Sequence, residues 1–265
     1  MKEGGLTVTH EAGVAHVTLS RPEVRNAFNA ELIGRLRETF ESFANEDAVA
    51  LRVVVLAGEG TFFSAGADVQ WMRAAIGLSF DENERDAAAM HAMFAAIDAC
   101  PAPVVARVQG GALGGGMGLC AVSDIVLATS GATFGFTEVK LGILPAVIST
   151  FVLPKIGESH ARALFLSGER FHVEHARTIG IVHEVLEDEA AMDARLSLIL
   201  REFRSAGPTA VRAAKALIRE LRGLPRGEAE AVSVARIADQ RTSAEGQEGL
   251  SAFTEERAPS WNADQ

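Results

Sequence analysis

Apolar residues change their spacing several times along the chain, and each change marks an element. Leu6 to His10 and Val14 to Leu19 are short β-rich runs joined by Glu11-Ala12-Gly13, which predicts a hairpin with Gly13 in its turn. Pro22 stops the second strand. Leu32, Ile33, Leu36, Phe40 and Phe43 then recur at i, i+1, i+4, i+8 and i+11, the stripe of an amphipathic helix, with Asn29 placed as its N-cap. Val53-Val54-Val55-Leu56 is a continuous apolar run, which predicts a strand covered on both faces. Alanine, methionine and phenylalanine periodicity from about Glu82 to Ala99 predicts a helix ended by Pro101 and Pro103, followed by a buried strand over Val104 to Val108. Ile125 to Ala128 and Thr133 to Phe136 predict two more strands. From about Asp188 helical patterns take over, at 188–204, 208–222, 226–242 and 244–255, punctuated by Gly207-Pro208 and Gly223-Leu224-Pro225.

Strand and helix alternate over most of the chain, and strand pairs recur, so the predicted class is α/β with a repeated ββα-like unit rather than a sandwich. The expected division is a core over 1–198 and a helical region over 199–265. With 265 residues, 48% of them hydrophobic, the chain can bury a large core without a disulfide or metal staple. Cys100 and Cys120 form no CxxC pair, which suits a reducing compartment. Met1-Lys2-Glu3-Gly4-Gly5 has no apolar signal region, and no run approaches 18 apolar residues, so a cytoplasmic protein without a membrane is the expectation. Lys and Arg number 25 against 35 Asp and Glu, a formal charge of −10, which argues against nucleic acid as a main partner. Tyrosine is absent, and with it any mechanism that needs a Tyr hydroxyl.

Two small-residue segments follow buried strands. Phe62-Phe63-Ser64-Ala65-Gly66-Ala67-Asp68 lies just beyond Leu56, where the carboxyl end of a strand in an open α/β sheet binds ligands. Its other reading is a tight loop with Asp68 capping the next helix. Gly110-Gly111-Ala112-Leu113-Gly114-Gly115-Gly116-Met117-Gly118 lies beyond Val108. Adjacent glycines at a helix start either present bare N–H groups at the positive end of a helix dipole or allow close helix–sheet packing. Gly116-x-Gly118-x-x-Ala121 formally matches a dinucleotide fingerprint, but its first glycine falls inside the helix rather than at the turn. No Lys-Ser/Thr follows the glycines, Ser64 lies in no GxSxG elbow, and the seven histidines show no metal-ligand spacing. His172 and His175 read as helix-surface residues.

Two loops with unencumbered amides suit an oxyanion hole, which holds the oxygen of a carbonyl whose neighbouring carbon becomes enolate-like. The candidate acid or base is Glu138, set among Phe136, Val139, Leu141 and Ile143, where desolvation would raise its pKa. A salt bridge to Lys140 or an exposed loop position is the alternative reading of this residue.

These segments, in this order, resemble the enoyl-CoA hydratase/isomerase (crotonase) superfamily nearly end to end. Arg21-Pro22-Glu23-Val24-Arg25-Asn26-Ala27-Phe28-Asn29 resembles its CoA-contacting segment, Ser64 to Asp68 and Gly114-Gly115-Gly116 its oxyanion motifs, and Phe253 to Trp261 its C-terminal signature. The resemblance implies a crotonase-like spiral of ββα units, a C-terminal helical trimerisation region, a homotrimer or a hexamer built as a dimer of trimers, and an acyl-CoA thioester substrate. Coenzyme A is then part of the substrate, and no separate cofactor or metal is implied. The N–H groups of Ala65 and Gly115 would polarise the thioester carbonyl, with Glu138 as the acid–base group. Arg25, Ala27, Ala65, Asp68 and Val69 would line the CoA path, with adenine near Ala67 to Val69. Trp71 and Met72, with the 74–90 segment, would border the acyl group. Gly66, Gly114, Gly118, Leu141 and Pro145 complete the implied substrate contacts.

Position 118 departs from the pattern of the two-glutamate hydratases, since glycine stands where the first glutamate would be. Three residues after Gly115, a side chain there would point into the site. The stretch Phe136 to Arg162 is most similar to bacterial methylglutaconyl-CoA hydratase-type members. The expected activity is hydration of a 2-enoyl-CoA, with Δ3-Δ2 enoyl-CoA isomerisation or acyl-CoA decarboxylation through the single Glu138 as alternatives, and a non-catalytic CoA-ester or RNA-binding protein from another class.

Overall fold

The computed structural model describes residues 2–262; Met1 of the N-terminal stretch and residues 263–265 of the C-terminal region lie outside the described residues. The chain opens with strands β1 (Lys2–Glu3), β2 (Leu6–Glu11) and β3 (Val14–Leu19). Glu11, expected in the turn, instead pairs with Val14, so the loop shrinks to Ala12 and Gly13. Both have positive φ, 48° and 77°, the backbone of a two-residue turn whose twist matches the strands it joins. Helix α1 (Ala30–Phe43) buries the five residues of its sequence stripe, and Leu32 N–H donates to Asn29 Oδ1 at its start.

Next come β4 (Val53–Gly58), α2 (Val69–Ala74), α3 (Phe80–Ala99), β5 (Val104–Val108), β6 (Gly111–Leu113) and α4 (Gly115–Val122). Helix α3 starts two residues before the expected position because Ser79 and Glu82 form a capping box. After β7 (Ile125–Thr129) and β8 (Thr133–Gly135), α5 (Ala146–Ser167) is interrupted at Gly157 (φ 73°) and leads to β9 (Arg170–His172), α6 (Val173–Thr178) and β10 (Glu184–Leu186). His172 therefore ends a strand rather than facing out from a helix; His175 is exposed on α6.

A seven-stranded sheet runs β1-β2-β3-β4-β5-β7-β10, parallel from β3 onward, and a smaller sheet runs β6-β8-β9. Isolated parallel bridges Phe28↔Ala67 and Ser64↔Ala112 carry the smaller layer back along the chain. Each turn of chain thus lays down a long strand in the large sheet, a short extended piece in the small one, and a helix. That is the spiral of ββα units. Residues of β4 alternate between two cores: Val54 and Leu56 pack with α1 and α3 residues, whereas Val53 and Val55 pack with Met192, Leu196 and Ile199 of α7 (Glu189–Ser205). Both faces are covered, which explains the unbroken apolar run in sequence.

Helices α8 (Pro208–Glu220), α9 (Arg226–Thr242) and α10 (Ala244–Thr254) complete the chain. Helix α8 is tied to the rest of the chain through cations placed largely on carbonyls. Arg212 donates to the carbonyls of Glu46, Asp47 and Leu51, and Lys215 to that of Ala102 and to Asp124.

Candidate active site

The loop after β4 and the loop after β5 are stitched together before either meets a ligand. Phe63 N–H donates to Gln109 C=O at 2.9 Å, and Leu113 N–H to Ser64 C=O at 3.0 Å. Glycine is required where they touch. A Cβ on Gly66 would lie 2.8 Å from Leu113 O and 3.2 Å from Gly115 N, and one on Gly116 would lie 2.6 Å from Ser64 O. Close packing therefore accounts for Gly66 and Gly116.

Hydrogen bonding decides which amides are available. Gly66 N–H faces Ser64 Oγ at 3.3 Å, Asp68 N–H donates to Phe28 C=O at 2.8 Å, and Gly114 N–H donates to Gly135 C=O at 2.9 Å. Ala65 N–H donates to Arg25 C=O at 2.9 Å. Ala65, expected to supply an oxyanion donor, does line the cavity, but its N–H is already committed. The Phe28↔Ala67 bridge uses Gly66 C=O and Asp68 N–H, and so leaves the Ala67 amide unused. Ala67 and Gly115 both line the cavity, and neither N–H donates to a protein acceptor among the described residues. The two free amides on this cavity are therefore those of Ala67 and Gly115, and Gly115 opens α4, where the helix dipole adds to the field.

The same cavity, of about 320 Å³, is lined by Glu138. Glu138 begins a single helical turn, Glu138–Leu141, that follows β8 and closes at Gly142 in the left-handed conformation (φ 75°). Its Oε2 is buried and accepts no hydrogen bond, and it forms no ion pair with Lys140 among the described residues. Burial pushes its carboxyl above the usual range, outweighing its own backbone N–H, which acts in the opposite direction. A carboxylate without a neutralising cation, facing a cavity, is suited to accepting and returning a proton.

Position 118 is not a hole left by a missing carboxylate. A Cβ there would fall 2.6 Å from Phe94 Cζ and 2.6 Å from Ile148 Cγ2. Gly118 does not line the cavity; Ile148 does. The expectation that a side chain at 118 would project freely into the site is corrected accordingly: Phe94 and Ile148 fill that volume.

Trp71, Met72, Gly114, Leu141 and Pro145 line the cavity as expected from the sequence, whereas Arg25, Ala27, Gly66, Asp68 and Val69 do not. Gly66 packs beneath the donor pair. Ala27 is buried, and its carbonyl accepts from Arg21. Asp68 caps α2 through Gln70 N–H and pairs with Arg21 at 2.7 Å. Burial pushes the Asp68 carboxyl up, but those hydrogen bonds and the Arg21 charge outweigh it and hold the pKa below its ordinary value. Arg25 and Val69 are exposed, and the Arg25 guanidinium stands 5.8 Å from the Phe62 ring centroid. Asn83 and Asp86, in the 74–90 segment expected to border the acyl group, line the cavity, whereas sequence reasoning left Thr137 and Val147 out of its wall. The only signal for Val147 was the apolar run after Gly142.

Among the described residues no three His, Cys, Asp or Glu side chains gather as a metal site requires, and no helix is long and apolar enough to cross a membrane.

Known proteins resemble this chain in sequence and in fold. The family described as Enoyl-CoA hydratase/isomerase matches residues 9–264. Enoyl-CoA hydratase AKT6-1 of Alternaria alternata is 37% identical over 218 residues, covering 82% of this chain and 70% of that protein. The 2,3-dehydroadipyl-CoA hydratase of Escherichia coli K12 is 31% identical over 267 residues, covering 96% and 97%. A solved enoyl-CoA hydratase from Shewanella pealeana superposes with a TM-score of 0.92 at 36% identity, covering 97% of this chain and 96% of the other.

Proposed function

The chain belongs to the enoyl-CoA hydratase/isomerase family, and from that premise we propose that it adds water across the double bond of a 2-enoyl-CoA. One observation carries the reading: two amides without acceptors among the described residues, of Ala67 and Gly115, share a cavity with a half-buried acid, Glu138, that has no ionic partner among them. In this mechanism the thioester oxygen accepts from both amides. Glu138 takes a proton from water, the hydroxyl adds at C3, and the electron pair of the double bond moves onto the carbonyl oxygen as an enolate. The protonated Glu138 then delivers its proton to C2, which leaves a 3-hydroxyacyl-CoA and restores the carboxylate. One group serves both steps, so hydroxyl and proton arrive on the same face. Removing one such amide donor costs about 3–4 kcal/mol of transition-state stabilisation in comparable sites.

Isomerisation of a 3-enoyl-CoA is the second reading. It is favoured by the filling of position 118 by Phe94 and Ile148, since a 1,3-proton shuttle needs only one carboxylate. Parallel assays with 2-enoyl-CoA and 3-enoyl-CoA separate them. Hydration predicts loss of the conjugated-thioester absorbance from the first; its appearance from the second, with the first inert, would establish isomerisation instead.

Coenzyme A enters as part of the substrate. Its path runs along the loops of Arg25, Ala27, Asp68 and Val69, with Arg25 offering a local positive charge against the overall −10. The helical region over 199–265 is proposed as the self-association surface of a homotrimer or hexamer. Helix α9 buries no residue in the single chain, and Ile218, Val234, Ile237 and Phe253 are exposed. A cytoplasmic setting completes the reading.

A further inference from the structure

Helix α3 forms one wall of the cavity. Asn83, Asp86, Ala87 and Met90 stand at i, i+3, i+4 and i+7, so one helix face supplies all four lining residues. The same face continues to Phe94, which packs against Gly118. At 1.5 Å per residue, Asp86 lies about 6 Å along the axis from Met90, the last of these lining residues, and Phe94, one turn further on, stands outside the lining. Trp71, Met72, Leu144 and Val147 make the rest of this region apolar.

The charges in this cavity have one sign. Among the described lining residues Asp86 and Glu138 are acids, and there is no Lys, Arg or His. Nearby cations are engaged elsewhere or stand outside the lining. Arg85 Nε donates to Asp81 C=O, and the His91 ring packs 5.1 Å from Phe151 with Nε2 3.3 Å from Thr150 Oγ1. The Lys140 side chain passes beside Gly168, and Arg73 is exposed and does not line the cavity. Asp86 is half-buried, and its side chain takes part in no hydrogen bond or ion pair among the described residues. A carboxylate on an acyl chain held in this cavity would find acids in the lining and no counter-charge. An uncharged chain meets indole, thioether and aliphatic surface.

We propose that this site selects acyl-CoA thioesters whose acyl group is uncharged and rejects those ending in a carboxylate, with Asp86 as the residue that sets the discrimination. The proposal rests on reading the cavity as the acyl site, and it excludes the carboxylated methylglutaconyl group that the sequence resemblance suggested.

Hexanoyl-CoA and adipoyl-CoA test it, since they differ by one terminal carboxylate, and neither contains the double bond on which turnover depends. Calorimetric titration of the intact protein is expected to show hexanoyl-CoA binding at least about 30-fold tighter, as like-charge juxtaposition at close quarters is strongly unfavourable. Asp86→Asn is expected to shrink that ratio at least about tenfold, mainly by improving adipoyl-CoA, and Asp86→Ala serves as a second variant with no amide to place. Equal or tighter binding of adipoyl-CoA by the wild-type protein would overturn the proposal. So would a ratio unchanged in both variants. Failure of both thioesters to bind would overturn the acyl-site reading itself, and the proposal with it, whereas binding without discrimination overturns the proposal alone.

Discussion

Glu138 is defined by what does not surround it among the described residues: no cation in the cavity lining, no donor to Oε2, and mostly apolar neighbours. Its raised pKa has a consequence for stability as well as for proton transfer. The fold favours the protonated form, so this side chain stabilises the protein most below the carboxyl's unfolded pKa, and that contribution is lost as pH rises through the raised folded value. Glu138→Gln removes the titration. Its stability relative to wild type is therefore expected to improve from about pH 4 towards neutrality and then level off, as read by denaturant unfolding across that range. A stability gap that does not change with pH would mean the carboxyl is better solvated than its surroundings show. Residue-scale chemistry was unevenly legible in the sequence. The acid among apolar neighbours announced itself, but the choice between Ala65 and Ala67 turned on which amide Arg25 and Phe28 engage. Two alanines two positions apart look alike until the partner strand is in place.

At the scale of elements, the loop between β3 and α1 holds the two catalytic loops in register with the hairpin. Arg25 and Asn26 both have positive φ, 53° and 54°, which is costly for residues with side chains. Asn26 holds that conformation from within: its Nδ2 donates to the carbonyls of Glu59 and Phe62, and its Oδ1 accepts from Arg21 N–H. It is fully buried. Asn26→Ala is expected to cost about 3 kcal/mol in chemical denaturation, because it leaves several buried polar groups without partners, and to weaken CoA-ester binding as the Arg25 backbone relaxes. A loss under about 0.5 kcal/mol would show that water replaces the amide without penalty. The regular elements themselves were open to pattern reading. The stripe of α1, the run of β4 and the C-terminal helices appear close to where spacing put them, because each buries a periodic face or ends at Gly or Pro. The short pieces of the smaller sheet were harder. Phe28, Ser64 and Ala67 pair only through isolated bridges, and nothing in so short an extended stretch signals its partner. The side chains that fill position 118 are likewise tertiary: Phe94 and Ile148 are distant in sequence and meet only when α3, α4 and α5 pack together.

At the scale of the whole molecule, the spiral covers both faces of its large sheet, while the last helices leave apolar side chains in water. Val234 and Ile237, at i and i+3 on α9, are expected to lie in a contact between copies of the chain. Val234→Glu combined with Ile237→Glu should lower the mass seen by sedimentation velocity from a trimer or hexamer towards the 28.0 kDa chain. A wild-type protein that sediments as a monomer would remove the self-association proposal. The fold, the two free amides and the buried carboxyl beside them converge on one chemical claim, that Glu138 moves the proton in enoyl-CoA hydration. Its most direct measurement is the hydration rate of a short uncharged 2-enoyl-CoA by wild type and Glu138→Gln, with binding of the matching saturated thioester measured alongside. The account predicts a loss of at least about 100-fold in kcat with binding held within a few-fold, in line with general acid–base catalysis. A Glu138→Gln protein that turns over within tenfold of wild type would contradict it.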